Sequence, residues 1–162
     1  VRDKDAVVAS MLICEMAAYY KKQGKTLAQV IDGLYEEFGL YQNTTLNFSF
    51  QGAAGMKKMA EIMTSLRENS PAEIAGYKVT KSSDYLESVE CDLTTGKKSV
   101  INLPKSNVLS YSLEGGNAAI VRPSGTEPKI KLYITAVGKD KSDAQKITEK
   151  IEADMKSLMG IE

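Results

Sequence analysis

The sequence predicts an α+β fold in which helices come first and a small antiparallel sheet with two further helices follows. Up to residue 39 the apolar residues repeat with helical spacing, and beyond it most apolar segments alternate with polar residues as strands do. The alternating segments are short and separated by turn residues, which is typical of strands joined in antiparallel hairpins. We therefore divide the chain into a helical part, residues 1–40, and a mixed part, residues 41–162.

The helical part contains two predicted helices. The first runs from Asp3 to about Lys22, with Asp3 or Asp5 as its N-cap. Its apolar residues surround nearly the whole helix, which is typical of an element covered on several sides, and we expect part of what covers it to be missing from this sequence. The second begins at a capping box formed by Thr26 and Gln29 and has one apolar stripe, so we expect one buried side.

The mixed part alternates predicted strands with two helices. In the first of these helices Met56, Met59 and Met63 share one face, and methionines at this spacing are more typical of a core than of a cofactor site. The second helix is predicted to start at a capping box of Ser142 and Gln145. The predicted elements are a strand over residues 41–50, a helix over 52–67, strands over 77–81, 107–113, 118–121 and 130–136, a hairpin around 94–96, and a helix over 142–159.

Composition restricts the possible functions. The 21 basic residues equal the 21 acidic ones and form no stripe with aromatics, which argues against a nucleic-acid surface. No apolar run approaches the roughly 18 residues that a membrane span requires. Because histidine is absent, a Ser-His or Cys-His nucleophile, a His-bound zinc and a histidine base are excluded within this chain. Cys14 and Cys91 form neither a disulfide framework nor a metal-ligand spacing, so we expect a reducing cytoplasm.

The connection between the last two predicted strands is rich in groups that bind phosphate. Arg122 offers a two-pronged guanidinium, and the hydroxyls of Ser124 and Thr126 can donate hydrogen bonds to further oxygens. Gly125 has no side chain, so it can take a positive φ and turn backbone N–H groups toward the anion. The two flanking prolines limit the freedom of the connection. The pattern therefore predicts a preorganised phosphate-binding loop.

A plainer interpretation of the same residues is a Ser-Gly turn between prolines. In that turn Arg122 would merely pair with Glu127 at the protein surface. Spacing alone does not separate the two interpretations. For Glu127 and Lys129 we expect roles in supporting the loop or setting its field, because a carboxylate pointing inward would repel a phosphate.

The loop resembles the phosphate-binding loop of the α-D-phosphohexomutases, the family that includes phosphoglucomutase and phosphomannomutase. Eight consecutive residues carry the match: Arg122, Pro123, Ser124, Gly125, Thr126, Glu127, Pro128 and Lys129. With residues 103–109 and the closing helix, the resemblance covers most of residues 41–162. It implies the family's fourth domain, a small antiparallel sheet flanked by helices and similar to the TATA-binding protein. It also implies that the non-reacting phosphate of the sugar is contacted by Arg122, Ser124, Gly125 and Thr126, with the other four residues supporting the loop.

Residues 1–40 resemble the end of the family's third domain, where an Arg-x-Lys-Asp segment leads into a long helix. Here that segment starts at Arg2, and the resemblance implies that Lys4 lies at the active site of the whole protein and transfers a proton. An exposed lysine at a helix start is the alternative, because proton transfer by lysine requires burial or nearby positive charge. The chain begins without Met and resembles neither a signal nor a transit peptide, so we expect an excised segment.

Three family motifs are not found in this sequence: the phosphoserine segment, the Asp-Gly-Asp-Gly-Asp magnesium loop and the Glu-Glu-Ser-Gly sugar-recognition pattern. We therefore expect this fragment to bind no metal or cofactor and to be inactive alone. The resemblance implies that the full-length protein interconverts sugar 1-phosphates and 6-phosphates, of glucose or mannose, through a bisphosphorylated intermediate. Mg²⁺ and a sugar 1,6-bisphosphate activator would be its cofactors, and phosphosugars and the remaining domains of the same polypeptide its partners.

Two alternatives of a different class stay open. One is a stand-alone phosphosugar-binding module without catalytic activity. The other is a mixed α/β interaction domain whose loop binds nothing, and phosphate binding would exclude it.

Overall fold

The computed structural model describes residues 4–161, except for the side chain of Ala53, and divides into two compact units, Val1–Leu40 and Tyr41–Glu162. Within the described residues, none of the helices is long and apolar enough to cross a membrane.

The first unit contains helices α1 (Ala6–Lys22) and α2 (Leu27–Phe38), which contact each other. Asp5 is the N-cap of α1, and its carboxylate accepts hydrogen bonds from two backbone N–H groups of the first turn at 3.1 and 3.0 Å. Asp3, the other predicted cap, lies outside the described residues. The predicted capping box of Thr26 and Gln29 is confirmed, with both of its hydrogen bonds present.

Neither helix of the first unit has a buried residue in this chain. The apolar surface around α1 therefore has no cover among the described residues, and the buried side predicted for α2 is wrong for these residues. The large apolar side chains that face solvent in these helices are Val7, Val8, Met11, Leu12, Ile13, Met16, Tyr19, Ile31, Leu34 and Phe38.

The second unit consists of one eight-stranded sheet, whose strands are not in chain order, and two helices. The strands are β1 (Leu40–Ser49), β2 (Glu73–Ile74), β3 (Tyr77–Asp84), β4 (Val89–Asp92), β5 (Lys98–Val100), β6 (Leu109–Leu113), β7 (Ala118–Pro123) and β8 (Lys129–Gly138), and the helices are α3 (Gly52–Glu68) and α4 (Lys141–Met159). The strand order is β1-β8-β7-β6-β3-β4-β5, and β2 pairs with β3. The pairs β2–β3, β3–β4, β3–β6, β4–β5, β6–β7 and β7–β8 are antiparallel. This arrangement confirms the predicted α+β fold with helices flanking an antiparallel sheet.

The core lies between one face of this sheet and the two helices. Both α3 and α4 contact β8, whose alternate residues Ile130, Leu132 and Ile134 are at most 1% exposed. Met63 and Met155 fill the space from the helix side. Because side chains alternate along a strand, the residues between them on β8 point to the opposite face. That second face, turned away from α3 and α4, carries the candidate site.

Two helix details differ from the predictions. Met59 and Met63 are buried as expected, but Met56 is 43% exposed and Ile62 is buried instead. The buried side is centred on positions 59, 62, 63 and 66, which places Met56 at its edge.

In α4 the N-cap is Asp140, whose carboxylate accepts a hydrogen bond from the backbone N–H of Asp143 at 2.8 Å. The predicted cap, Ser142, therefore lies inside the helix.

The hairpin predicted around residues 94–96 is confirmed by the pairing of β4 with β5. Asp92 organises its turn, because its side chain accepts hydrogen bonds from the backbone N–H groups of Thr94 at 2.9 Å and Thr95 at 3.1 Å. A hydrogen bond from the Thr94 hydroxyl, together with these two backbone bonds, lowers the pKa of the Asp92 carboxyl.

Candidate functional site

The two strands that carry the loop extend further than predicted. Arg122 is opposite Lys131 in the β7–β8 ladder and Pro123 is opposite Ile130, so the connection is residues 124–128 rather than 122–129. Proline is tolerated at position 123 because β6 pairs with β7 only up to Val121, so that Pro123 has a neighbouring strand on one side only. The backbone N–H of Ser124 still donates to the carbonyl of Lys129 at 2.8 Å. Arg122 is therefore held on a strand and not on a flexible loop.

Internal hydrogen bonds hold the connection in shape. Ser124 Oγ accepts hydrogen bonds from the backbone N–H groups of Thr126 at 3.4 Å and Glu127 at 3.2 Å. The backbone N–H of Phe50, just after β1, donates to the carbonyl of Pro128 at 2.7 Å. Because Ser124 Oγ acts as the acceptor in both of its bonds, its hydroxyl hydrogen is left to donate to a ligand.

The backbone role predicted for Gly125 is corrected by the structure. Gly125 is not among the glycines with a positive φ, and a Cβ atom at this position would meet nothing within 4 Å. The residue therefore does not need glycine's special backbone conformation. What remains of the prediction is that a residue without a side chain leaves the exposed loop backbone open to a ligand.

Glu127 pairs with Lys129, whose ammonium group forms an ion pair with its carboxylate. This contact contradicts the plainer interpretation, in which Glu127 pairs with Arg122. The hydrogen bond and charge of Lys129, with a smaller contribution from Lys131, lower the pKa of the Glu127 carboxyl. Within residues 4–161 the Arg122 side chain has no hydrogen bond or ion pair. Its guanidinium is therefore available to a ligand.

The loop forms one wall of a cleft of about 320 Å³. Its lining comprises residues 122–127 together with Lys129, Lys131 and Tyr133. Lys131 and Tyr133 were missed in the reasoning from sequence, although a signal for them exists. They alternate with the buried residues of β8, so they share a face with Arg122 on the neighbouring strand.

The charge of this cleft is suited to an anion. Three cationic side chains and one carboxylate line it, so its formal charge is two positive units. Arg122 and Lys131 face each other directly across the ladder, and like charges in that position are destabilising. A phosphate monoester carries about 1.5 to 2 negative charges near neutral pH and would remove this repulsion.

Lys4, the predicted proton-transfer residue, is an exposed residue just before α1. It belongs to the first unit, whereas the loop belongs to the second. The role of Lys4 thus stays a prediction. The Mg²⁺ implied by the family resemblance is expected in the whole protein; in the described part of this chain no three His, Cys, Asp or Glu side chains form a group that could hold a metal ion.

Comparison with known proteins agrees with the family resemblance and the fold. The family model described as the C-terminal domain of phosphoglucomutase/phosphomannomutase matches residues 62–153. Staphylococcus aureus phosphoglucomutase is 43% identical over 152 residues, which are 93% of this chain and 27% of that protein. A probable phosphomannomutase of Haemophilus influenzae is 35% identical over 159 residues, 98% of this chain and 29% of that protein. This chain therefore spans less than a third of the length of these relatives.

Among solved structures, the open form of the Paramecium exocytosis-sensitive phosphoprotein pp63/parafusin, a phosphoglucomutase, has the same fold. It superposes with a TM-score of 0.60 at 18% identity over 99% of this chain and 28% of that one. Fold and loop together define an α+β domain with a positively charged cleft on the open face of its sheet. With the family match over more than half of its residues, the chain belongs to the phosphoglucomutase/phosphomannomutase family, and it contains that family's C-terminal domain.

Proposed function

We propose that this chain provides the phosphate clamp of a phosphohexomutase, a protein that interconverts sugar 1-phosphates and 6-phosphates through a bisphosphorylated intermediate. One observation carries the proposal: the guanidinium of Arg122 has no hydrogen bond or ion pair within residues 4–161, yet it lies in a cleft shared with Lys131 and the loop hydroxyls. A strand-held arginine without an internal partner is suited to two-pronged binding of a phosphate.

The contacts of the clamp follow from this geometry. Arg122 would bind two phosphate oxygens, and Lys131, directly opposite in the ladder, would supply a second positive charge. The hydroxyls of Ser124 and Thr126 would donate to the remaining oxygens. Glu127 is kept from repelling the ligand because its carboxylate is engaged by Lys129. The loop is already hydrogen-bonded before binding, which lowers the ordering cost.

In the proposed reaction the clamp holds the phosphate that is not being transferred. Its binding energy would position the other end of the sugar at a distant phosphoserine. Because the bisphosphorylated intermediate must turn around, either phosphate would occupy the same clamp. The clamp would therefore recognise phosphate, with sugar identity read elsewhere.

The remaining parts of the activity belong to the whole protein. Proton transfer by Lys4, the Mg²⁺ ion and the sugar 1,6-bisphosphate activator are all proposed for the whole protein, and we expect the 162-residue chain to have no mutase activity by itself. Cytoplasm is the proposed compartment, as inferred from two cysteines that are both free.

The proposal is tested by an amide NMR titration of this chain with inorganic phosphate and with glucose 1-phosphate. We expect dissociation constants of roughly millimolar, about 4 kcal/mol of binding free energy, for one exposed clamp. Shifts should centre on residues 122–131 and be lost in Arg122→Ala. Lys146→Ala, which removes an exposed lysine from α4 on the other side of the sheet, is the matched control and should keep the shifts.

Phosphate shifts that persist in Arg122→Ala would contradict the clamp. If neither ligand causes shifts, the same titration on the full-length protein decides the matter. Binding there that depends on Arg122 would mean that the clamp needs other domains, and no binding there would refute it.

A further inference from the structure

Tyr133 lies two residues along β8 from Lys131, the residue that is paired with Arg122. In the β7–β8 ladder the pair Ile120 and Tyr133 follows the pair Arg122 and Lys131 on the same face. Residues two positions apart on a strand are separated by about 7 Å. The cleft therefore has two adjacent zones, a charged one at the loop and an aromatic one further along β8.

Tyr133 has the exposure and the freedom to bind a ligand. Its side chain is half-buried and lines the same cleft as Arg122 and Lys131. Its hydroxyl has no hydrogen bond within residues 4–161. Tyrosine presents a large apolar ring with one polar end, which suits a ligand that is itself partly apolar and partly hydroxylated.

The position of the clamp restricts where the rest of a phosphate ester can go. Once Arg122 and Lys131 hold the phosphate, the esterified group extends either into solvent or along β8 toward Tyr133. Only the second direction keeps it inside the cleft, where the aromatic ring removes apolar surface from water.

We propose that Tyr133 is a platform for the sugar ring of the bound phosphosugar, so that the cleft prefers a cyclic phosphate ester over a small one. This inference rests on the proposed phosphate clamp. An aromatic face contacts the C–H groups of a ring without depending on which hydroxyl carries the phosphate. Tyr133 would thus accept both orientations that the clamp must accept.

The test compares methyl phosphate, which has no ring, with glucose 1-phosphate on the same 162-residue chain. Their dissociation constants are measured by amide NMR titration in the unmodified chain, Tyr133→Phe and Tyr133→Ala. Tyr41→Ala, which removes an exposed tyrosine of β1 outside the cleft, is the matched control.

For the unmodified chain, Tyr133→Phe and Tyr41→Ala we expect glucose 1-phosphate to bind about threefold to tenfold more tightly than methyl phosphate. In Tyr133→Ala the ratio of the two constants should fall to about one. Using a ratio separates loss of the platform from a general weakening of the site, since misfolding would affect both ligands.

A ratio near one in the unmodified chain, or a preference for glucose 1-phosphate that survives in Tyr133→Ala, would overturn the platform. Either result would leave the clamp intact if Arg122→Ala still abolishes methyl phosphate binding. Methyl phosphate binding that does not depend on Arg122 would instead refute the clamp, and with it the platform.

Discussion

The carboxylate of Asp154 on α4 accepts a hydrogen bond from the backbone N–H of Ala75 at 2.6 Å, across 79 positions of sequence. Ala75 has a φ of 57°, a left-handed conformation that is strained for a residue with a side chain. It lies in the turn between β2 and β3, so the bond joins a helix of the core to a strained turn. The helix thereby stabilises the edge of the sheet.

Asp154→Ala should lower the free energy of unfolding by about 2 kcal/mol, because a hydrogen bond to a charged group is lost. Glu149→Ala, which removes an exposed carboxylate from the same helix, is the control and should change it by less than about 0.5 kcal/mol. Urea denaturation followed by circular dichroism measures both. If both variants lower the free energy of unfolding by the same amount, the hydrogen bond from Ala75 to Asp154 does not stabilise the fold.

Lys131→Met should change stability and binding in opposite directions. Removing the like charge opposite Arg122 should raise the free energy of unfolding by about 0.2 to 1 kcal/mol. The same change should weaken phosphate binding about threefold to tenfold, since one of the two cations of the clamp is lost. Denaturation and phosphate titration on the same sample test the pair of effects. If Lys131→Met binds phosphate with the same affinity as the unmodified chain, Lys131 is not part of the binding site.

The pKa of the Glu127 carboxyl should lie below its ordinary value and rise in Lys129→Met, because that lysine supplies the main hydrogen bond and charge. Carbon-13 NMR titration of the carboxyl measures the pKa directly. Since the folded pKa is depressed, the stabilising contribution is present above the unfolded value, about 4.3, and is lost as pH falls through the folded one. Lys131→Met should produce a smaller rise. An unchanged pKa in Lys129→Met would contradict the ion pair.

Tyr111→Phe should lower the free energy of unfolding by about 1 kcal/mol at neutral pH. The Tyr111 hydroxyl donates to the carbonyl of Leu66 at 3.2 Å, in the last turn of α3, where helix carbonyls lack partners within the helix.

Burial also raises the pKa of the Tyr111 phenol. The stability linked to the neutral phenol is therefore complete below the unfolded pKa of about 10 and declines as the pH rises above it. The difference in unfolding free energy between the unmodified chain and Tyr111→Phe should therefore shrink above about pH 10. Urea denaturation at neutral and alkaline pH measures this difference. A difference that stays constant with pH would contradict a buried neutral phenol.

Two glycines of the same hairpin should respond differently to alanine. A Cβ on Gly138 would approach the Ala144 N, Cα and Cβ atoms closer than 3.0 Å, whereas a Cβ on Gly125 would meet nothing within 4 Å. Gly138→Ala should therefore cost about 1 to 3 kcal/mol of unfolding free energy through overpacking. Gly125→Ala should change it by less than about 0.5 kcal/mol. Thermal and urea denaturation measure both, and similar costs would contradict the packing described for Gly138.

Local signals were sufficient for most elements of the fold. The capping box of Thr26 and Gln29 was predicted correctly because both of its hydrogen bonds form within one turn. The start of α4 was misplaced at Ser142 because two suitable capping residues stand close together. Gly138 at the end of β8 packs directly against Ala144, so the helix begins at once and Asp140 becomes the cap.

The sequence by itself determined the α+β class, the alternation that buries one face of β8 and the family motif from Arg122 to Lys129, because these depend on neighbours along the chain. Only the tertiary structure decided that Glu127 pairs with Lys129 and that Lys131 stands opposite Arg122. It also decided that Tyr133 lines the same cleft. Strand register and loop conformation result from packing across the whole sheet, and a local pattern does not contain that information.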